Sequence, residues 1–302
     1  MVVIHIFFQR NQSFRFKVDL FYSSCLEAKE MLNIQNCTIK PDMSAESKLI
    51  SSEKPTPLTP LVVLENVSFK NNSDIILDNI SFRIDKGDFL GIIGPNGAGK
   101  TTLFKCLLGL NKEFKGTIKI FDKDIRTNAK EIYKKIGYIP QSNSFDPRFP
   151  ATVKEIIHLG TPRNKIDNKE KIEELIQLTG IGDYLHKRIG DLSGGQQQRV
   201  MIAKALIHEP ELLILDEPDT AIDAGVLKLF YKLLIKLNQE KNITIIWSSH
   251  DLDAVNMVSN KVACLYKKLF FHGNSEDFFS NESNLKTFNE YSMHIHIKSH
   301  AH

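Results

Sequence analysis

Between residues 61 and 280 the chain alternates two hydrophobic periods. Three short runs, "DFLGIIG" (Asp88 to Gly94), "ELLILD" and "ITIIWSS", are apolar at nearly every position, as strands buried on both faces are. Other stretches repeat their apolar residues every three or four positions, as amphipathic helices do. In "KTTLFKCLLGL" these are Leu103, Leu107 and Leu110. In "VLKLFYKLLIKL" they are Leu227, Phe230, Leu234 and Leu237, with Lys228, Lys232 and Lys236 left to solvent. Upstream, "LVVLENVSF" and "DNISFRI" are β-rich segments flanking a polar "KNNSD" turn. "TIKIF" reads as an edge-like strand, "IGYIP" as another, and "KVACLYKKLFFHG" as a closing hairpin. From about Phe149 to Ile189 the pattern is helical, broken at "TPRNK" and "TGIGD". Apolar strands alternating with helices predict an α/β sheet covered on both faces.

The first sixty residues break this order. "FFQRNQSFRFKVDLFYSSC" mixes aromatic and charged residues without a period, and "SAESKLISSEKPTPLTP" has the Ser, Pro and Lys content of a flexible linker. Residues 1–60 therefore read as an extension with a Ser/Pro-rich linker, either short and structured or disordered; the alternative is a true start at Met43, with residues 1–42 an artefact of start-codon choice. Composition narrows the class further. Hydrophobic content of 42% and charged content of 25% are those of a soluble globular chain. A net charge of +3 is too small to argue for nucleic acid or an anionic membrane. The four cysteines, Cys25, Cys37, Cys106 and Cys264, form no close pair, which predicts free thiols in a reducing compartment. No apolar run nears the ~20 residues that span a bilayer, and "MVVIHIFFQR" lacks the order of a secretory leader.

The first chemistry lies in "GPNGAGKT", which fits G-x-x-x-x-G-K-[ST] with a buried strand before it and an amphipathic helix after it. Gly94, Pro95, Asn96, Gly97, Ala98 and Gly99 supply a backbone that can wrap a phosphate chain, and the helix that follows adds its positive end. Lys100 is expected to reach the β- and γ-phosphates. The Thr101 hydroxyl, beside Thr102, is expected on Mg²⁺. In "LLILDEP", Asp216 ends a buried strand, where a carboxylate is costly unless it faces a cation. Glu217 follows, suited to orient and polarise an attacking water; the plainer alternative is that the two carboxylates cap the next turn.

"DLSGGQQQRV" (Asp191 to Val200) decides the resemblance. With "GPNGAGKT", "LLILDEP" and "SSHD" it makes residues 61–280 resemble the ATPase subunits of ATP-binding-cassette (ABC) transporters. The resemblance implies a P-loop NTPase fold of the ABC type. That fold is α/β, with a mainly parallel core sheet, an antiparallel β subdomain and a helical subdomain at about 142–195. Ser193 is placed to cap the next helix, while Gly194, Gly195 and Gln196 bring backbone amides to its N-terminus. Two copies would then face head to tail, each burying ATP and Mg²⁺ between its own phosphate loop and the signature of the other. Carried over position by position, Gln141 is the Q-loop contact to Mg²⁺ and water, His250 hydrogen-bonds the γ-phosphate, and Asp223 lies near the dimer seam. One departure stands out: where relatives carry an adenine-stacking aromatic, this chain has Asn71 and Asn72. Phe69 is the nearest substitute, although its alternation with Val67 equally suits a core residue.

Cargo must be read from variable segments. "FDPRFPATV" resembles the corresponding segment of zinc, manganese and iron import ATPases; read without that resemblance, it is a polar loop entering a helix near Thr152. At the end of the chain, residues 281–302 form a tail ending in "MHIHIKSHAH". On an extended backbone, His294 with His296, and His300 with His302, would each project to one side and offer a weak Zn²⁺ site; the alternative is an inert terminus. The expectation is the ATP-hydrolysing subunit of an importer for a divalent metal ion, zinc first. It would sit at the cytoplasmic face of the membrane, acting on a separate permease fed by an extracytoplasmic binding protein, with no nucleic-acid partner. The alternatives are another cargo, such as a siderophore or an exported substrate, and a soluble ABC ATPase outside transport.

Overall fold

The computed structural model describes residues 60–141, 145–159, 169–219 and 224–299. The N-terminal extension, Asp223, His300 and His302 lie outside them. The chain opens with a hairpin of two long strands, β1 (Pro60–Asn71) and β2 (Asp74–Asp85), joined through Asn72, which takes a left-handed φ of 54°. Strands β4 (Lys115–Ile120) and β5 (Lys123–Asp124) complete an antiparallel sheet in the order β2-β1-β4-β5.

A second sheet of six strands carries the apolar runs. Its order is β10-β9-β3-β8-β7-β6, formed by β3 (Phe89–Ile93), β6 (Ile136–Ile139), β7 (Leu212–Asp216), β8 (Thr244–Ser249), β9 (Lys261–Tyr266) and β10 (Lys268–Asn274). All of its pairings are parallel except the closing hairpin β9–β10. The fold is thus the expected ABC ATPase architecture, an antiparallel sheet beside a mainly parallel one with helices.

Alternation along the central strands divides the interior in two. Leu213, Leu215, Ile245 and Trp247 face one core, shared with the helices α3 (Val153–Leu159), α4 (Lys169–Thr179), α5 (Gly194–Leu206) and α6 (Ala224–Gln239). Leu212, Ile214 and Ile246 face the other, with α1 (Lys100–Leu107) and the antiparallel sheet. Strands buried on both faces cannot alternate polar and apolar residues, which is why the sequence showed unbroken hydrophobic runs.

Two expectations need correction. Leu110 does not continue the face of Leu103 and Leu107: α1 ends before it, and Leu110 is 62% exposed. Gly109, at φ 59°, turns the chain, and the amides of Gly109 and Leu110 close back on the carbonyls of Cys106 and Lys105, a Schellman ending. The C-terminal tail also proves helical: after α7 (Leu252–Val258) and the closing hairpin, α8 (Ser275–Phe279) leads into α9 (Glu282–Ser299). The pairing of His294 with His296 assumed an extended backbone, and the backbone there is helical. Helix α2 (Ile125–Ile132), capped by Asp124 accepting from the Arg126 amide at 2.8 Å, had no counterpart in the sequence reading.

Trp247 is the largest side chain with no exposed surface. Its indole N–H donates to Ser259 Oγ at 2.9 Å, and its ring meets Phe89 and Tyr231 edge-on at 6.2 and 5.7 Å. Truncating such a side chain leaves a cavity that rigid strands cannot close. Trp247→Ala is expected to lower unfolding free energy by about 3–5 kcal/mol, measured by urea denaturation. A loss under about 1 kcal/mol would show that the core collapses around the gap.

Candidate active site

The site forms where the C-terminal ends of β3, β7 and β8 come together, the usual place for ligands in an open parallel sheet. From β3 the chain enters the phosphate loop. A Cβ at Gly94 would stand 2.2 Å from the Leu265 carbonyl oxygen, and Gly99 holds φ 103°; neither position accepts another residue without rearrangement. The loop is braced from outside: the Lys267 amide donates to the Ala98 carbonyl at 2.9 Å, and the Asp78 amide donates to the Lys267 carbonyl at 2.7 Å. Gly99 is the N-cap of α1 and brings no side chain to it, so the first amides of that helix are available to an anion.

Charge concentrates behind the loop. The Lys100 ammonium donates to the Gly94 and Pro95 carbonyls at 2.6 and 3.3 Å and pairs with Glu217 Oε1 at 3.1 Å. Both side chains of that pair are almost wholly buried, at 5% and 7% exposure. Gln141, at the end of β6, donates its amide to Glu217 Oε2 at 2.7 Å. Asp216 has no exposed surface. Burial pushes its carboxyl above the usual carboxylate range and the Glu217 charge adds to that, while the Ser248 and Thr101 hydroxyls and Lys100 pull the other way. Asp216 Oδ1 accepts from Ser248, but Oδ2, equally buried, has no hydrogen-bond partner. A buried carboxylate oxygen without a partner, beside a threonine hydroxyl, is a donor set suited to a hard cation.

A family model described as "ABC transporter" matches residues 77–220. The zinc uptake system ATP-binding protein ZurA of Listeria innocua is 42% identical over 229 residues, which are 73% of this chain and 88% of that protein. The chain is an ABC transporter ATPase. Likewise similar is the manganese transport system ATP-binding protein MntB of Halalkalibacterium halodurans, 37% identical over 76% of this chain and 93% of that one. Among solved structures, a dimeric ATP-binding cassette in a post-hydrolysis state, bound to ADP and Pi, superposes with a TM-score of 0.61. It is 27% identical, and the match covers 71% of this chain and 98% of that one.

Within this ABC ATPase, the phosphate loop, Gln141, Asp216 and Glu217 are gathered into one cluster by direct bonds. The signature residues build a separate feature. Ser193 caps α5 in a capping box, its amide donating to Gln196 Oε1 at 3.1 Å and its hydroxyl accepting from the Gln196 amide at 3.4 Å. None of these bonds goes to the phosphate loop. His250 is exposed just beyond β8, next to Asp219, whose carboxyl is raised by burial and lowered by the Ser249 hydroxyl and by His250. Phe69 is half-buried and packs on the core shared with α1. Among the described residues no group of three or more His, Cys, Asp or Glu side chains is placed to hold a metal ion.

Sequence reasoning missed three participants. Ser248 bonds to the Asp216 carboxylate and to the Glu217 amide, and Asp219 accepts from Ser249 at 2.6 Å. Gln197 is buried, donates to the Ile189 and Leu192 carbonyls, and accepts from the Phe145 amide at 3.3 Å. It ties the "FDPRFP" loop to the signature helix. For Gln197 a signal existed: it is the second glutamine in "GGQQQ", one turn from the Ser193 cap.

Glu217→Gln removes the charge that faces Lys100 while keeping shape. ATP hydrolysis is expected to fall by about 10²-fold or more, with nucleotide binding retained. Single-turnover assays beside fluorescent-nucleotide titration check this; substantial residual turnover would remove Glu217 from the role of water activator.

Proposed function

We propose that this ABC ATPase powers import of a divalent metal ion, zinc before manganese, through a separate membrane permease. The observation that carries the cargo is the identity to ZurA across nearly the whole of that protein. The exposed "FDPRFP" loop supports it. There Arg148 pairs with Asp146 at 3.1 Å, and the loop leads into α3 through a box in which Thr152 and Glu155 bond reciprocally. In this reading the protein works as a head-to-tail dimer at the cytoplasmic face of the membrane. Among the described residues no helix is long and apolar enough to cross it.

Phosphates would enter along the loop amides and the N-terminus of α1, with Lys100 neutralising the β- and γ-phosphates. Asp216 Oδ2, the Thr101 hydroxyl and the Gln141 carbonyl would hold Mg²⁺, which when bound supplies charge neutralisation at the transferring phosphoryl group. Glu217, itself almost wholly buried and held by Gln141 once Lys100 turns to the phosphates, accepts a hydrogen bond from the attacking water and orients it. His250 reaches the γ-phosphate from the end of β8. The signature of the second copy, led by Ser193, Gly194 and Gly195, covers the same phosphates, so that hydrolysis loosens the dimer.

The decisive experiment is uptake of zinc, manganese and iron by cells with and without the gene, with purified-protein hydrolysis measured in parallel. Loss of zinc uptake first, manganese second, is expected, along with hydrolysis that stops when Mg²⁺ is chelated. Unchanged zinc and manganese uptake, with loss of a chelated-iron substrate or of an export activity, would reassign the cargo and leave the ATPase in place.

A further inference from the structure

Strand β8 ends in two consecutive serines, and strand alternation sends them to opposite faces of the sheet. Ser249 turns to one side, donating to Asp219 Oδ2 at 2.6 Å and accepting from the Asp251 amide at 3.0 Å. Ser248 turns to the phosphate-loop side. The β7–β8 register sets it directly beside Asp216. Its hydroxyl donates to Asp216 Oδ1 at 2.8 Å and accepts from the Glu217 amide at 2.9 Å. The residue has no exposed surface.

Both bonds constrain something the reaction uses. A carboxylate with one oxygen tied presents the other in a fixed direction, and Asp216 Oδ2 is the oxygen left without a partner. Glu217 takes a φ of 44°, a left-handed conformation that a residue with a side chain keeps only when its surroundings hold it. The bond from its amide to Ser248 is a holding contact of that kind. From that backbone the Glu217 carboxylate reaches Lys100 and Gln141 together.

We propose that Ser248 is a positioning residue for ATP hydrolysis: one hydroxyl sets the rotation of the cation-facing Asp216 carboxylate and the backbone of the water-orienting Glu217. The inference rests on reading Asp216 as a Mg²⁺ ligand. Groups that orient a metal ligand from behind commonly change metal affinity or activity by about 10–100-fold when removed. Substituting Ser248 leaves the phosphate loop and Lys100 untouched, so nucleotide binding without metal stays as it is.

The test uses the full chain and four proteins: wild type, Ser248→Ala, Ser248→Thr and Ser259→Ala. The last removes a buried hydroxyl that accepts from Trp247 and makes no bond in the site. Three quantities are read: kcat against Mg²⁺ concentration, Mn²⁺ affinity by electron paramagnetic resonance with ADP bound, and nucleotide affinity in chelator. For Ser248→Ala, kcat is expected to fall about 10–100-fold and Mn²⁺ affinity about 10-fold, with chelator-phase nucleotide affinity unchanged. Ser248→Thr, which keeps the hydroxyl, recovers most of both, and Ser259→Ala shifts neither. Where Ser248→Ala does not fold, Ser248→Cys, with its weak S–H donor, carries the same comparison. Wild-type values of kcat and Mn²⁺ affinity in Ser248→Ala, or equal losses in Ser259→Ala, overturn the proposal. Wild-type hydrolysis indifferent to Mg²⁺ overturns the Mg²⁺ reading itself, so the two failures are told apart.

Discussion

An ammonium group buried beneath a backbone loop is the constraint around which this protein is organised. Lys100 is almost wholly removed from water, and such a cation is tolerated only when its donors are used and its charge is answered. Two carbonyls of the phosphate loop and the Glu217 carboxylate do this. The arrangement requires β3 to deliver the loop and β7 to deliver the acid, both at the same end of the sheet. It also requires a loop backbone tight enough to turn carbonyls inward under the lysine, which Gly94 and Gly99 permit. Phosphate oxygens would draw on the same ammonium, so the Lys100–Glu217 contact and the nucleotide are alternatives for one cation.

Strand alternation then assigns each polar end-residue to a side. Asp216 and Ser248 are register partners and face α1, while Trp247 and Ser249 face the helical core. Because every position on these strands is buried, a polar group at a strand end must find a partner across the pairing. Ser248 and Ser249 supply those partners one strand away from the acids.

This explains which parts of the site were legible in the sequence. The phosphate loop is local: its glycines, its lysine and the helix after it are contiguous, and each residue type has one physical use there. The buried strands were readable from their unbroken apolar runs, and the cap of the signature helix from Ser193. Ser248 was not readable, because its partners lie 32 and 31 residues away and only the β7–β8 register joins them. Glu217 gives no sign of its left-handed backbone, since nothing in its residue type prefers it. Leu110 misled because periodicity continues through "GL" while Gly109 ends the helix. The C-terminal helix was hidden by a weakly patterned, histidine-bearing sequence, and with it went the extended geometry assumed for His294 and His296.

The buried Gln197 amide has a mechanical meaning. It grips the carbonyls before the signature helix on one side and receives the backbone of the exposed Phe145–Phe149 loop on the other. Phe145 and Phe149 are in ring contact, with centroids 5.6 Å apart, and a Cβ at Gly190 would stand 2.7 Å from the Asp146 and Pro147 carbonyl oxygens. Loop and helix end are thus packed as one piece: moving the outer loop would strain the bonds that Gln197 makes ahead of α5 and the tight seat of Gly190.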